Sequence, residues 1–122
     1  MRDAVADENT VIVSALAELE TEVQIKAAAV DGEIRLAQLR QFQARLAAMR
    51  NLDPFHFRLL PGSVFSNALR QHRRPKAAYC RTLDRLHLAA MEELKLTRLM
   101  TLDQKQAEAA EELGFHVLRP RA

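Results

Sequence analysis

Short runs rich in β-branched and aromatic residues alternate along this chain with stretches whose apolar residues recur every three or four positions. That alternation restricts its fold more than any other feature. Thr10-Val11-Ile12-Val13 is continuous rather than alternating, as in a strand buried on both faces of a parallel sheet. Ser14 is a good N-cap for a helix from Ala15 to Val30, whose apolar positions Leu16, Leu19, Val23, Ala27 and Val30 predict an inward stripe ending at Asp31-Gly32. A second helix is expected from Leu36 to Met49, with Leu39, Phe42, Leu46 and Met49 inward. Phe55 to Leu60 alternates as a strand and stops at Pro61-Gly62, and Ser63 caps a short helix to about Gln71 that buries Val64, Phe65, Ala68 and Leu69. Thr97 to Leu102 reads as a strand, Gln104 to Leu113 as a helix closed by Gly114, and Phe115 to Leu118 as the last strand. Strands separated by helices give an α/β domain with a largely parallel sheet.

A length of 122 residues suits a single domain spanning 1–122. Composition narrows the class further, since 48% hydrophobic and 28% charged residues match a soluble globule. No apolar run approaches the roughly 20 residues that cross a bilayer, and Met1-Arg2-Asp3-Ala4 lacks the apolar core of a signal peptide, so the expected location is cytoplasmic, with no membrane partner. Cys80 is the only cysteine, which excludes an internal disulfide and a cysteine-based zinc site and leaves a small buried hydrophobe as its plain reading. His56 has no second histidine at ligand spacing and is expected to face outward. The net charge of +2 is small, but Arg70, His72, Arg73, Arg74, Lys76, Arg81 and Arg85 crowd one region with Asp84 as its only acid. Such a cluster is either a solvated loop or a phosphate-binding surface, because arginine forks onto phosphate oxygens.

Asp84 stands out because helix periodicity places it on the inner half of its helix. At roughly 100° per residue, Leu83, Leu86, Ala90 and Leu94 form one stripe, Leu88 and Met91 widen it past Asp84, and Arg85, Glu92 and Glu93 point away. An acid there is costly to desolvate unless it is paired, protonated or bound to a cation; pairing with Arg81 or capping behind Thr82 is the structural alternative. Glu20 falls at the edge of its helix's apolar stripe, between Leu16 and Val23, where its stem can pack while its head reaches water. Asp103 lies just past a strand's C-terminal end, where open α/β sheets place ligands, and is also an ideal N-cap. The three acids each sit near a helix start, and in a parallel sheet such starts gather along one edge. Clustered carboxylates favour Mg²⁺ or Mn²⁺, and beside a basic loop they suit phosphodiester hydrolysis.

With these residues in view, Arg81-Thr82-Leu83-Asp84-Arg85-Leu86-His87-Leu88-Ala89 resembles the third-acid helix of PIN-domain proteins. Leu99-Met100-Thr101-Leu102-Asp103-Gln104-Lys105-Gln106 resembles their following strand and final acidic position. Ser14-Ala15-Leu16-Ala17-Glu18-Leu19-Glu20 is similar to the second-acid helix, with Glu20 the better match and Glu18 the fallback. The resemblance implies a PIN-like three-layer fold and a metal-dependent endoribonuclease of the VapC toxin type. In it Glu20, Asp84 and Asp103 would be catalytic and would hold Mg²⁺ or Mn²⁺. Single-stranded RNA would meet Arg70, Arg73, Arg74, Lys76 and Arg81, and an antitoxin protein would be a partner. His87, one turn from Asp84, is either its hydrogen-bond partner or a satisfied core histidine.

The family opens with a hydrophobic strand ending in Asp, at the centre of its sheet, whereas here the first strand-like run is already Val11-Ile12-Val13. Met1 to Asn9 reads as a frayed lead-in, and Asp3, Asp7 and Glu8 do not follow an apolar strand, so none takes the first acid's role. The expectation is therefore a PIN-like domain lacking its first central strand, with the strands near Val11 and Phe55 separated from those near Leu99 and Val117. Such exposed edges invite homodimerisation or aggregation, and each buried backbone group without a partner costs about 1–3 kcal/mol. Marginal stability is expected of the chain alone. The alternative function is an inactive PIN remnant that acts only by binding a protein such as the antitoxin.

Overall fold

A computed structural model describes residues 10–119. The expectations for Met1 to Asn9 lie outside the described residues. The chain is mixed α/β and falls into two compact units, which among the described residues comprise 10–59 and 60–119.

The 10–59 unit starts with strand β1, Val11–Ser14, which runs into helix α1, Ala15–Val30. The junction is made by Ser14, extended at φ −73° and ψ 158°, whose hydroxyl accepts from the Ala17 amide at 3.1 Å. Gly32 at φ +79° ends α1 in a turn where the Glu33 amide donates to the Ala28 carbonyl at 2.9 Å. Helix α2, Leu36–Met49, and strand β2, Phe55–Arg58, follow. β2 pairs in parallel with β1 in the register Val11 with Phe55 to Ser14 with Arg58. Gln43 Nε2 donates to Glu22 Oε2 at 3.3 Å between the two helices. Arg50 donates to Glu18 Oε1 at 2.6 Å while its guanidinium lies 4.7 Å from the Phe57 ring centroid.

Two expectations for this unit are corrected. Val11 to Val13 are half-buried rather than buried on both faces, and among the described residues β1 is hydrogen-bonded to β2 alone. The expected inward stripes are also incomplete: Leu19, Val23 and Val30 of α1 and Phe42 of α2 are exposed, with Val30 at 76%. Among its described residues this unit buries no side chain fully.

The 60–119 unit is built around helix α4, Thr82–Glu93, which packs on helix α3, Val64–His72, and on helix α5, Gln104–Glu112. Val64 and Ala68 of α3 meet Ala89 and Ala90 of α4, and Leu88 and Met91 of α4 meet Ala109 and Ala110 of α5. Alanines at both contacts let the helix backbones approach closely while still excluding water. Strand β3, Arg98–Met100, pairs in parallel with strand β4, His116–Leu118, and Leu99 and Val117 pack beneath α4 and α5. The expected parallel pairing is present as two two-stranded sheets among the described residues.

Packing on two sides overturns the single-stripe reading of α4. Arg85, expected to point away, is only 6% exposed, while Leu83, expected inward, is 48% exposed. Arg85 lies one turn before Leu88 and Ala89, both wholly buried, and a helix covered on two sides buries that second face as well. On α3, Val64 and Ala68 are buried as expected, but Phe65 and Leu69 are exposed, and Ser63 makes no side-chain cap. No helix among the described residues is long and apolar enough to cross a membrane.

Candidate functional site

Asp84 and Asp103 both belong to the 60–119 unit, and each is placed by a helix start. Asp84 is half-buried in the first turn of α4, where backbone amides and the helix dipole favour negative charge. Asp103 is the N-cap of α5: its Oδ1 accepts from the Gln106 amide at 2.9 Å, and its own amide donates to Thr101 Oγ1 at 3.0 Å. The capping role weighed from sequence is thus real.

The two carboxylates act on one common atom. Burial pushes the Cys80 thiol above its ordinary pKa; the Arg85 guanidinium pulls it down, and Asp84 and, more weakly, Asp103 push it further up. Asp84 and Asp103 therefore both disfavour the Cys80 thiolate, Asp103 the less of the two. Glu20, the third expected acid, is half-buried on α1 in the 10–59 unit, as is its fallback Glu18, whose carboxylate holds Arg50. Among the described residues, no group of three or more His, Cys, Asp and Glu side chains is placed to hold a metal ion. Carboxylate oxygens, the donors that Asp84 and Asp103 carry, are of the chemical type that Mg²⁺ takes, one or two at a time together with water and substrate phosphates.

The basic side chains divide by how they are held. Arg70, Arg73 and Arg74, with Ser66 and Leu69, line an open depression of about 450 Å³. Within it Arg70 donates to Asn67, which in turn donates to Glu93, and Arg74 reaches Glu92 at 3.5 Å. These contacts aim the guanidinium groups while leaving them exposed. Lys76 and Arg81 are exposed on the segment that joins α3 to α4.

That segment has no regular secondary structure between Ala77 and Arg81, yet its centre is gripped from two helices. The Ala78 carbonyl accepts from Arg85 Nη2 at 2.8 Å, and the Ala78 amide donates to Glu112 Oε1 at 2.7 Å. Arg85 also donates from Nη1 to Oε1 of Gln71 at 3.4 Å, and Gln71, wholly buried, donates to the Leu88 carbonyl at 3.4 Å. A guanidinium this buried is tolerated because carbonyl and amide oxygens surround its donors. Sequence reasoning missed Arg85, Gln71 and Glu112. The spacing of Arg85 to Leu88 and Ala89 was a usable signal for the first; nothing local marks the other two.

Compared with protein-family models, with curated proteins and with solved structures, the chain finds no match.

Proposed function

We propose that this protein is a PIN-like, metal-dependent endoribonuclease of the VapC toxin type, cleaving phosphodiester bonds of single-stranded RNA. The observation that supports the reading is the pair Asp84 and Asp103, two carboxylates at helix starts of one unit that both disfavour ionisation of the half-buried Cys80, in a unit that also carries a segment rich in arginine and lysine. In this reading Asp84 and Asp103 hold Mg²⁺ or Mn²⁺, which when bound supplies an activated water and stabilises charge on the phosphoryl oxygens. Asp103 is pre-oriented by its capping bond to Gln106, so its carboxylate does not have to be ordered on binding. Arg70, Arg73, Arg74, Lys76 and Arg81 bind phosphates flanking the scissile bond, and forked arginine contacts set the strand's direction.

Isothermal titration with Mn²⁺ and cleavage of a labelled single-stranded RNA test the reading together. Wild type is expected to bind Mn²⁺ and to cut the RNA only in its presence, with both lost in Asp84→Asn. Equal, weak Mn²⁺ binding by wild type and variant, or cleavage that persists in Asp84→Asn, overturns it.

A further inference from the structure

We propose that Tyr79 is a stacking platform for an unpaired base of single-stranded RNA, with Lys105 beside it to hold the adjoining phosphate. The choice of RNA rests on the nuclease reading above; the stacking site itself rests on three observations. Tyr79 is 71% exposed, although an aromatic ring normally gains by burial. Lys105 Nζ lies over the ring, 5.5 Å from its centroid, so one face carries the cation and a base would stack on the other. It also follows directly the gripped residue Ala78. The chain there alternates: Ala78 and Cys80 pack toward the α4 and α5 core, while Tyr79 and Arg81 face solvent.

The grip matters because binding otherwise loses free energy to ordering a loop. With the Ala78 carbonyl held by Arg85 and its amide by Glu112, the backbone before Tyr79 is set in advance. A flat ring, a neighbouring ammonium group and the exposed guanidinium of Arg81 two residues on are what a single strand needs: a π-face for the base and cations for the backbone. Cys80, between Tyr79 and Arg81, packs into the core, so a base on Tyr79 would lie on the solvent face of a segment whose other face is held by α4 and α5. A double helix would gain little, since its bases are already stacked. The ligand is therefore an unpaired nucleotide, and Tyr79 is a binding and positioning residue rather than a catalytic one.

The test exploits composition: the chain has one tyrosine and no tryptophan, so its tyrosine emission reports Tyr79 alone. Without divalent metal, a short oligouridylate is expected to quench that emission, whereas an abasic ribose-phosphate strand of equal length binds in a salt-dependent way without quenching. Stacking contributes about 1–3 kcal/mol per base, so Tyr79→Ala should weaken binding of labelled oligouridylate by about 5–150-fold, with Tyr79→Phe restoring it. Lys105→Ala should weaken oligouridylate and abasic strand alike and reduce the salt slope by about one. Equal affinity of Tyr79→Ala and wild type, equal quenching by both strands, or no binding at all overturns the proposal. Metal-dependent cleavage that survives while Tyr79→Ala is without effect removes the stacking site and leaves the nuclease. Quenching and a Tyr79→Ala defect without metal-dependent cleavage do the reverse.

Discussion

Arg85 Nη2 donates to the carbonyl oxygen of Ala78 at 2.8 Å, tying a buried guanidinium in the middle of the helical core to the peptide that precedes the exposed Tyr79. One side chain thereby links the packing of α4 to the shape of the basic segment. Arg85→Met removes the donor from both Ala78 O and Gln71 Oε1 while keeping most of the side chain's bulk. A buried acceptor left unsatisfied costs about 1–3 kcal/mol, so the urea midpoint should fall by that order at unchanged slope. Arg85→Lys, which can keep one of the two bonds, should fall between. A change for Arg85→Met within about 0.5 kcal/mol would show that the grip carries no stability.

Asp103 can be separated into its two roles. Asp103→Asn keeps an oxygen that caps the Gln106 amide, so stability should change little while Mn²⁺ binding falls. Asp103→Ala loses the cap as well and should cost about 0.5–2 kcal/mol in thermal or urea unfolding. Equal destabilisation by the two variants would mean that the cap is not what holds the start of α5.

The raised pKa of Cys80 fixes a sign for pH dependence. Its cause is burial first, with Asp84 and Asp103 adding to it against Arg85. The unfolded thiol titrates near its ordinary value of about 8.5, and the folded thiol titrates above that. The contribution is therefore fully present below the unfolded pKa and is lost as pH rises through the folded one. Wild type should lose stability relative to Cys80→Ala between about pH 8 and the folded pKa. Native Cys80 should also react with iodoacetamide more slowly than the unfolded chain, and Asp84→Asn should speed that reaction by removing a charge that disfavours thiolate. An unchanged rate in Asp84→Asn would mean that the Asp84 charge does not act on the thiol.

Lys95 closes α4 in the left-handed region, at φ 57°, where Gly32 and Gly114 close α1 and α5. The hydrogen bonds match: the Leu96 amide donates to Met91 O at 2.8 Å, as Phe115 does to Ala110 O at 3.0 Å. A side chain in that region is strained by about 1–2 kcal/mol, partly offset when glycine frees the unfolded chain. Lys95→Gly is expected to raise the melting temperature by a net gain of up to about 1 kcal/mol. A fall would mean that the Lys95 side chain supplies more than its backbone strain costs.

Element order, helix ends and parallel pairing were legible in the sequence because they depend on neighbours along the chain. Ser14, Gly32, Asp103 and Gly114 mark helix ends by their own chemistry, and all four act there. The nomination of Asp84 from helix periodicity, and of Asp103 from its place between a strand end and a helix start, was also local. Lys95 was not legible, since nothing in a lysine announces a left-handed residue.

The sequence by itself determined where helices and strands run, because a period of 3.6 or 2 and a capping side chain are properties of ten or so consecutive residues. Tertiary structure alone decided which faces are covered. α4 has α3 on one side and α5 on the other, so it buries Arg85 together with Leu88, whereas Leu19, Val23 and Val30 form an equally regular stripe on α1 and remain exposed. Periodicity gives a helix an apolar face but does not supply the element that covers it. For the same reason Tyr79 could not be distinguished from a core aromatic until Arg85 and Glu112, 7 and 34 residues from Ala78 in sequence, were found holding the Ala78 peptide.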